Sequence, residues 1–287
     1  MIGPLSFRFH RYTAGFAGVL MCAIFTAAVR RNETSNAFVV KIVGQTVAPI
    51  EGKQRTADSV TEFRYTWSRI GQERTLSFDE FRLRVKIDGS EVVNTLMCRA
   101  KRVTVERGEV FEVPFEVAAP HIKKVLADSF GSPICKVMVD DNGKPITRKM
   151  VARDGAKLIL EHGLVANALL FHPPFLTKQN EWEFESEISL GNGRFATGTL
   201  HYLKLARSSK GQIVKVTGTL TNSEPTEGIT ETRFVVTGDQ VFDSTVNEWV
   251  SGSLLIDCEF EPEKPKTPSA IVKGKLSVNF ERLSDTR

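Results

Sequence analysis

The sequence predicts a mainly β protein: an antiparallel meander forming a strongly bent sheet or open barrel, with one or two packed helices. Three observations carry this expectation. Nearly everything after residue 37 alternates apolar and polar side chains, the pattern of strands buried on one face and solvated on the other. Asp88-Gly89, Asn142-Gly143 and Asn192-Gly193 punctuate the alternation, and such pairs suit two-residue type I′ turns, where both central residues take positive φ. Helical signals are confined to two stretches, 120–131 and 154–174.

The N-terminus stands apart from this pattern. "RFHR" (8–11) is basic, and "AGFAGVLMCAIFTAAV" (14–29) is an uncharged run of 16 residues ending in small side chains. A spanning helix needs about 20 apolar residues, whereas this length suits the hydrophobic region of a signal peptide. Met21 before Cys22 argues against a lipoprotein box, and Arg30-Arg31 directly after the run favours an uncleaved anchor. Residues 1–28 are therefore expected to be a signal peptide cleaved after Ala28 or an N-terminal membrane anchor. Residues 29–36 read as a disordered linker and 37–287 as a single β-rich domain. The expected location is the periplasm or the exterior, with membrane contact only through 14–29 if the segment stays attached.

Taken in order, "EFRYTWSRI" (62–70) places Phe63, Tyr65 and Trp67 on one face. "FRLRVKI" (81–87) sets Phe81, Leu83, Val85 and Ile87 against Arg82, Arg84 and Lys86. "EVVNTLMCRAKRVTV" reads as one further strand, and "ICKVMV", "KPITRKMV", "EWEFESEISL", "TGTLHYLKLA", "QIVKVTGTLT", "TRFVVTG" and "SGSLLIDCEFE" as others. Ser209-Lys210-Gly211 makes a longer turn. "PHIKKVLADSFG" (120–131) opens with Pro and closes with Gly, as short helices do. "DGAKLILEHGLVANALLFHPP" (154–174) predicts a helix over most of 156–170, halted by Pro173-Pro174 and weakened by Gly163, which costs about 1 kcal/mol relative to Ala. So apolar a helix must lie on the concave face of the sheet. Similar hairpin orders in 60–151 and 175–260 suggest a weak internal duplication, and "EPEKPKTPSA" (261–270) is a linker before a last strand.

Composition and motifs exclude more than they assign. Formal net charge is +4, and without Arg8 and Arg11 the balance is 36 basic to 34 acidic residues, no footprint for nucleic acid. "SLGNGRFATG" (189–198) outlines a dinucleotide fingerprint, yet the flanking segments both alternate as strands. Without a following helix there is no phosphate cradle, and the glycines read as a hairpin turn. Histidines are scattered without metal-ligand spacing, and no cofactor is expected. "DDNG" (140–143) would begin a calcium loop whose twelfth position falls on Val151. No G-x-S-x-G elbow is present, and Asp79, Glu80, Asp243 and Glu248 are acid candidates only as turn carboxylates. Cys98, Cys135 and Cys258 lie in apolar strands, where a small buried side chain is the plain role.

"FHPPFLTKQNEWEF" (171–184) is more apolar than a connecting loop usually is. It either plugs one end of the β core or rims an apolar pocket between sheet and helix. The segments "VMVDDNGKPITRKMV", "VVTGDQVFDSTVNEWVSGSLL" and "PPFLTKQNEW" resemble those of a group of exported bacterial all-β proteins without a defined activity, distantly like the curved-sheet lipoprotein carriers. In the second turn Asn247-Glu248 replaces the glycine of that pattern. The resemblance implies an envelope or secreted β protein and carries no catalytic residue with it. The function expected first is a non-enzymatic binding module for an apolar or amphipathic ligand, held by Leu160, Leu164, Leu169, Phe171, Phe175 and Trp182. The alternatives are a structural or protein-interaction protein with a filled core and, third, a carboxylate-based hydrolase.

Overall fold

The computed structural model describes residues 33–50, 53–107, 120–141, 143–152, 160, 164–191, 194–222, 229–262 and 272–283. The apolar run 14–29, the turn residues Asn142, Asn192 and Gly193, the linker residues 263–270, and positions 156–159 and 161–163 of the expected helix lie outside them. No helix among the described residues is long and apolar enough to cross a membrane.

Among the described residues, thirteen strands and two short helices follow one another. The first meander comprises β1 (Glu33–Ile50), β2 (Lys53–Ile70), β3 (Glu73–Ile87), β4 (Ser90–Arg99) and β5 (Arg102–Arg107). Helix α1 (Pro120–Ser129) leads to a hairpin of β6 (Pro133–Val139) and β7 (Pro145–Met150), and then comes α2 (Ala166–Leu170). The second meander comprises β8 (Glu181–Gly191), β9 (Arg194–Ser208), β10 (Gly211–Asn222), β11 (Ile229–Asp243), β12 (Glu248–Pro262) and β13 (Val272–Arg282). The last strand pairs with the first, giving the order β5-β4-β3-β2-β1-β13-β12-β11-β10-β9-β8. The β6–β7 hairpin branches off β3, whose first residues pair with β6 and whose later residues pair with β4.

Side-chain parity places the core. Phe38, Val40, Phe63, Tyr65 and Trp67 are buried, as the alternation of β1 and β2 requires. In β3 the inward residues are Leu76 and Phe78, and then Phe81 and Leu83, a change from even to odd positions. The register accounts for it: Arg64 pairs with Glu80 and Tyr65 with Phe78, so Asp79 is an extra residue in a β-bulge. A second bulge in β12 lets Trp249 point inward together with Leu254 and Ile256.

The sheet is strongly bent. The eight strands from β2 to β8 would spread over about 34 Å if flat, yet the single segment 166–175 touches residues at both ends of that span. Close packing across glycines permits the bend: a Cβ on Gly218 would lie 2.5 Å from Thr199 O and 2.7 Å from Leu200 Cδ2. The sheet does not close, since among the described residues β8 pairs only with β9. The β6–β7 hairpin approaches it through an Arg148–Glu187 ion pair at 2.6 Å.

Two local expectations change. "EVVNTLMCRAKRVTV" is not one strand but the β4–β5 hairpin, turning at Ala100-Lys101. Lys101 takes φ 62 and donates its N–H to Ala127 O in α1 at 2.7 Å, a tertiary bond with no local sequence signal. The expected two-residue turn at Asn142-Gly143 is a longer connection, 140–144, tied by Asp140 N to Lys144 O and Gly143 N to Asp140 O. Asp88-Gly89 has the paired positive φ values expected, 47 and 82. Strand β1 starts at Glu33, inside the stretch read as a linker.

Candidate functional site

The segment from α2 to Phe175 occupies the concave side of the sheet. Ala166–Leu170 is helical, and the last turn is tightened by Phe171 N to Ala168 O and His172 N to Leu169 O, at 3.2 and 3.1 Å. Pro173 and Pro174 offer no further N–H to continue a helix. The chain then leaves as an irregular buried strap. Val165, Ala168, Phe171 and His172 are all inside the protein.

One side of this strap is a network of aromatic and polar contacts. The His172 ring stacks on Trp67 at 5.1 Å and meets Phe38 and Tyr65 edge-on. Its Nε2 lies 2.7 Å from Tyr65 Oη and its Nδ1 lies 3.1 Å from Glu248 Oε1. A neutral ring satisfies both if Tyr65 donates to Nε2 and Nδ1–H donates to the carboxylate. Burial, with the Glu248 charge adding to it, holds the Tyr65 hydroxyl well above the usual phenol range, so it stays protonated. Trp249 Nε1 donates to Pro173 O at 2.7 Å. Phe175 stacks on Phe242 at 3.8 Å and meets Trp182 and Trp249 edge-on. Lys204 Nζ closes the rim, donating to Leu176 O and Thr177 O.

The other side is not packed flush. A half-open pocket of about 260 Å3 lies between Leu170 and Phe171 of the strap and Ile42, Ile188, Phe234, Ile256, Phe260, Leu276 and Val278 of the sheet. Among the described residues the polar side chains that reach it are Thr46, Asn167 and Cys258. Burial pushes the Cys258 thiol up to about 11, with the Asp257 charge adding to it, and no disulfide joins the described cysteines. For scale, a dry cavity of about 150 Å3 accommodates one benzene, so this one has room for a short alkyl chain.

The six residues singled out from sequence all pack into the same core, around the strap. Of them Phe171 lines the apolar cavity, whereas Leu169 and Phe175 line a second, polar hollow behind His172. Leu160 and Leu164 pack in the core, and Trp182 stacks on Tyr202 at 5.4 Å. Sequence reasoning missed His172 and Glu248 as partners, and missed the sheet residues Ile42, Ile256 and Val278. Each of these looks like an ordinary strand or turn residue, and only the curl of the sheet gathers them. A shallow trough of about 650 Å3 crosses the outer face, where its charges are partly matched among themselves, Lys41 with Glu62 and Arg82 with Glu80.

No protein-family model and no characterised protein matches the chain in sequence. Among solved structures it is similar to lipovitellin, in a structure described for its lipid–protein interactions. The TM-score is 0.51 at 8% identity, over 88% of this chain and 25% of that one. The chain thus spans about a quarter of lipovitellin, and the likeness is one of fold. The translocator domain of the autotransporter NalP from Neisseria meningitidis aligns over 94% of this chain and 96% of its own, with TM-score 0.25 and 8% identity.

Proposed function

We propose that the protein is an exported, non-enzymatic carrier that holds the hydrocarbon part of an apolar or amphipathic molecule against the concave face of its sheet. The observation that carries this reading is the pocket beneath Phe171, bounded by nine large apolar side chains from the strap and five strands. Burying a methylene there is worth about 0.8 kcal/mol, so a chain of six or seven carbons gains roughly 5 kcal/mol, a useful fraction of micromolar binding at about 8 kcal/mol. The shared fold with lipovitellin supports the same reading at the level of architecture.

The test is a fluorescence titration of the purified chain with cis-parinaric acid, beside the Val278→Phe variant. Val278 is 3% exposed and faces the pocket, and a phenyl ring there occupies part of it and obstructs an acyl chain. Saturable binding by the natural chain, weakened at least tenfold in Val278→Phe while far-UV circular dichroism is unchanged, is the expected result. Equal binding by both chains, or none by either, sinks the proposal. Ile256→Phe serves as the second obstructing variant should Val278→Phe misfold.

A further inference from the structure

The polar hollow on the His172 side of the strap, about 200 Å3 in volume, holds a buried guanidinium that is not fully matched among the described residues. Arg74 is 8% exposed, and its Nη1 is fully buried with no hydrogen-bond partner among the described residues. A guanidinium carries five donors in a rigid fork, and a buried donor left unmatched is costly. Arg74 sits on the inner face of β3 directly opposite Arg69 on β2. Two like charges in that cross-strand position repel.

Three carboxylates also line the hollow, each hydrogen-bonded to a group other than Arg74, and the Glu248 charge acts on the Arg74 guanidinium. Glu248 Oε1 faces His172, Asp141 Oδ1 accepts from Gln72, and Asp140 Oδ1 accepts from Lys144 N. Among the described residues none of them forms an ion pair with Arg74 or Arg69, and Arg69 Nε turns to its neighbour Gly71 O at 3.3 Å. Burial, and then the Arg69 charge, lowers the Arg74 guanidinium to about 10 while Glu248 opposes the shift, so the group remains a cation at neutral pH. The hollow has room for a small oxyanion and its water.

We propose that this hollow binds the oxyanion group of a phosphate or carboxylate, held by the fork of Arg74 with Arg69 on the facing strand. The two oxygens of such a group match the guanidinium in pairs. A water in the same place carries no charge and would leave the Arg69–Arg74 repulsion standing. The site is separate from the apolar cavity, which lies across the strap and shares no lining residue with it.

Isothermal titration of the whole chain at constant chloride tests this with three probes: inorganic phosphate, acetate, and dihexanoyl phosphatidic acid below its micelle concentration. Saturable binding of phosphate or acetate, lost by at least tenfold in Arg74→Gln and reduced severalfold in Arg69→Gln, establishes a site for a free anion. Binding of phosphatidic acid alone, with the same sensitivity, establishes a headgroup site. No saturable binding by any probe, or binding that both variants retain, overturns the proposal. Arg69→Gln decides the matter should Arg74→Gln fail to fold, because Arg69 lies at the half-exposed rim. Val278→Phe, which obstructs the other pocket, is expected to leave phosphate binding unchanged, so the two proposals fail independently.

Discussion

The two sides of the buried strap are built to different standards. Toward β2 and the start of β12, the His172 ring nitrogens, the Trp249 indole and the Pro173 carbonyl all have partners, and the rings of Trp67, Phe175 and Phe242 stack on their neighbours. Toward β13 and β11 the same strap leaves about 260 Å3 between apolar side chains. Interiors are normally packed like organic crystals, and a void forfeits the dispersion contacts of its lining. The strap tolerates an incomplete side because hydrogen bonds and stacking anchor the other. A carrier needs this division, since a segment fixed on one face can flank a variable occupant on the other without moving.

His172→Ala is expected to produce the largest loss, because it breaks the anchored side. It removes the ring stacked on Trp67 and leaves Tyr65 Oη and Glu248 Oε1 buried without their partner. Stranding a buried charge costs about 3–5 kcal/mol, and the lost packing adds to that. For a domain of this size each kcal/mol lowers Tm by about 2–4 °C, so calorimetry should show a fall of 10 °C or more. A fall under 3 °C would mean that the network is not what holds the strap.

Phe171→Ala acts on the open side and is expected to cost less than a usual buried Phe→Ala substitution, which runs to about 3–5 kcal/mol, because part of its surroundings is already void. The ring packs on Phe280 at 4.8 Å, so the cost is not zero. Roughly 2–3 kcal/mol is expected on the same scale. Saturating cis-parinaric acid should restore part of the lost Tm, since a ligand of the folded state at a hundred times its Kd contributes about 2.7 kcal/mol. The same probe added to His172→Ala should restore none beyond the shift it gives the natural chain. Equal rescue of both variants would erase the distinction between the two sides.

How much of this was legible in the sequence follows from the range of the forces involved. Strand alternation and the Asp88-Gly89 turn are local, and they appear where the side chains of Phe63, Tyr65, Trp67 and Asp88 require. Even the bulge at Asp79 leaves a trace, in the step from Leu76 and Phe78 to Phe81 and Leu83. The β4–β5 turn left none, because a bond from Lys101 to α1 fixes it from outside. The unusual apolarity of 171–184 was also visible, in the density of Phe, Pro and Trp. Pattern alone left open whether it plugs the core or rims a pocket, and in the structure only 171–174 of it is continuously buried. The polar network was not visible, because His172 and Glu248 are 76 residues apart and meet only after the second meander has folded over the strap. Val278 and Ile256 had the same disguise, as core residues indistinguishable by pattern from Val40 or Leu76.

The smallest effect expected is chemical and leaves stability untouched. Cys258 lines the open side, and its thiol is pushed up to about 11 by burial first and by Asp257 second. At pH 8 such a thiol is about one thousandth thiolate, against roughly a quarter for a free cysteine at about 8.5. Iodoacetamide should therefore modify it at least a hundredfold more slowly than a free thiol. The sign is fixed by the thiolate being the nucleophile, so raising the pH from 8 to 9 should speed the reaction about tenfold. Cys98, also raised to about 11 by burial, lies outside the cavity and supplies the internal control. An occupant of the cavity should slow alkylation of Cys258 severalfold and leave Cys98 unchanged, which peptide mass spectrometry of the alkylated chain reads directly. Equal protection of both cysteines would point to a general tightening of the fold and away from occupancy beneath Phe171.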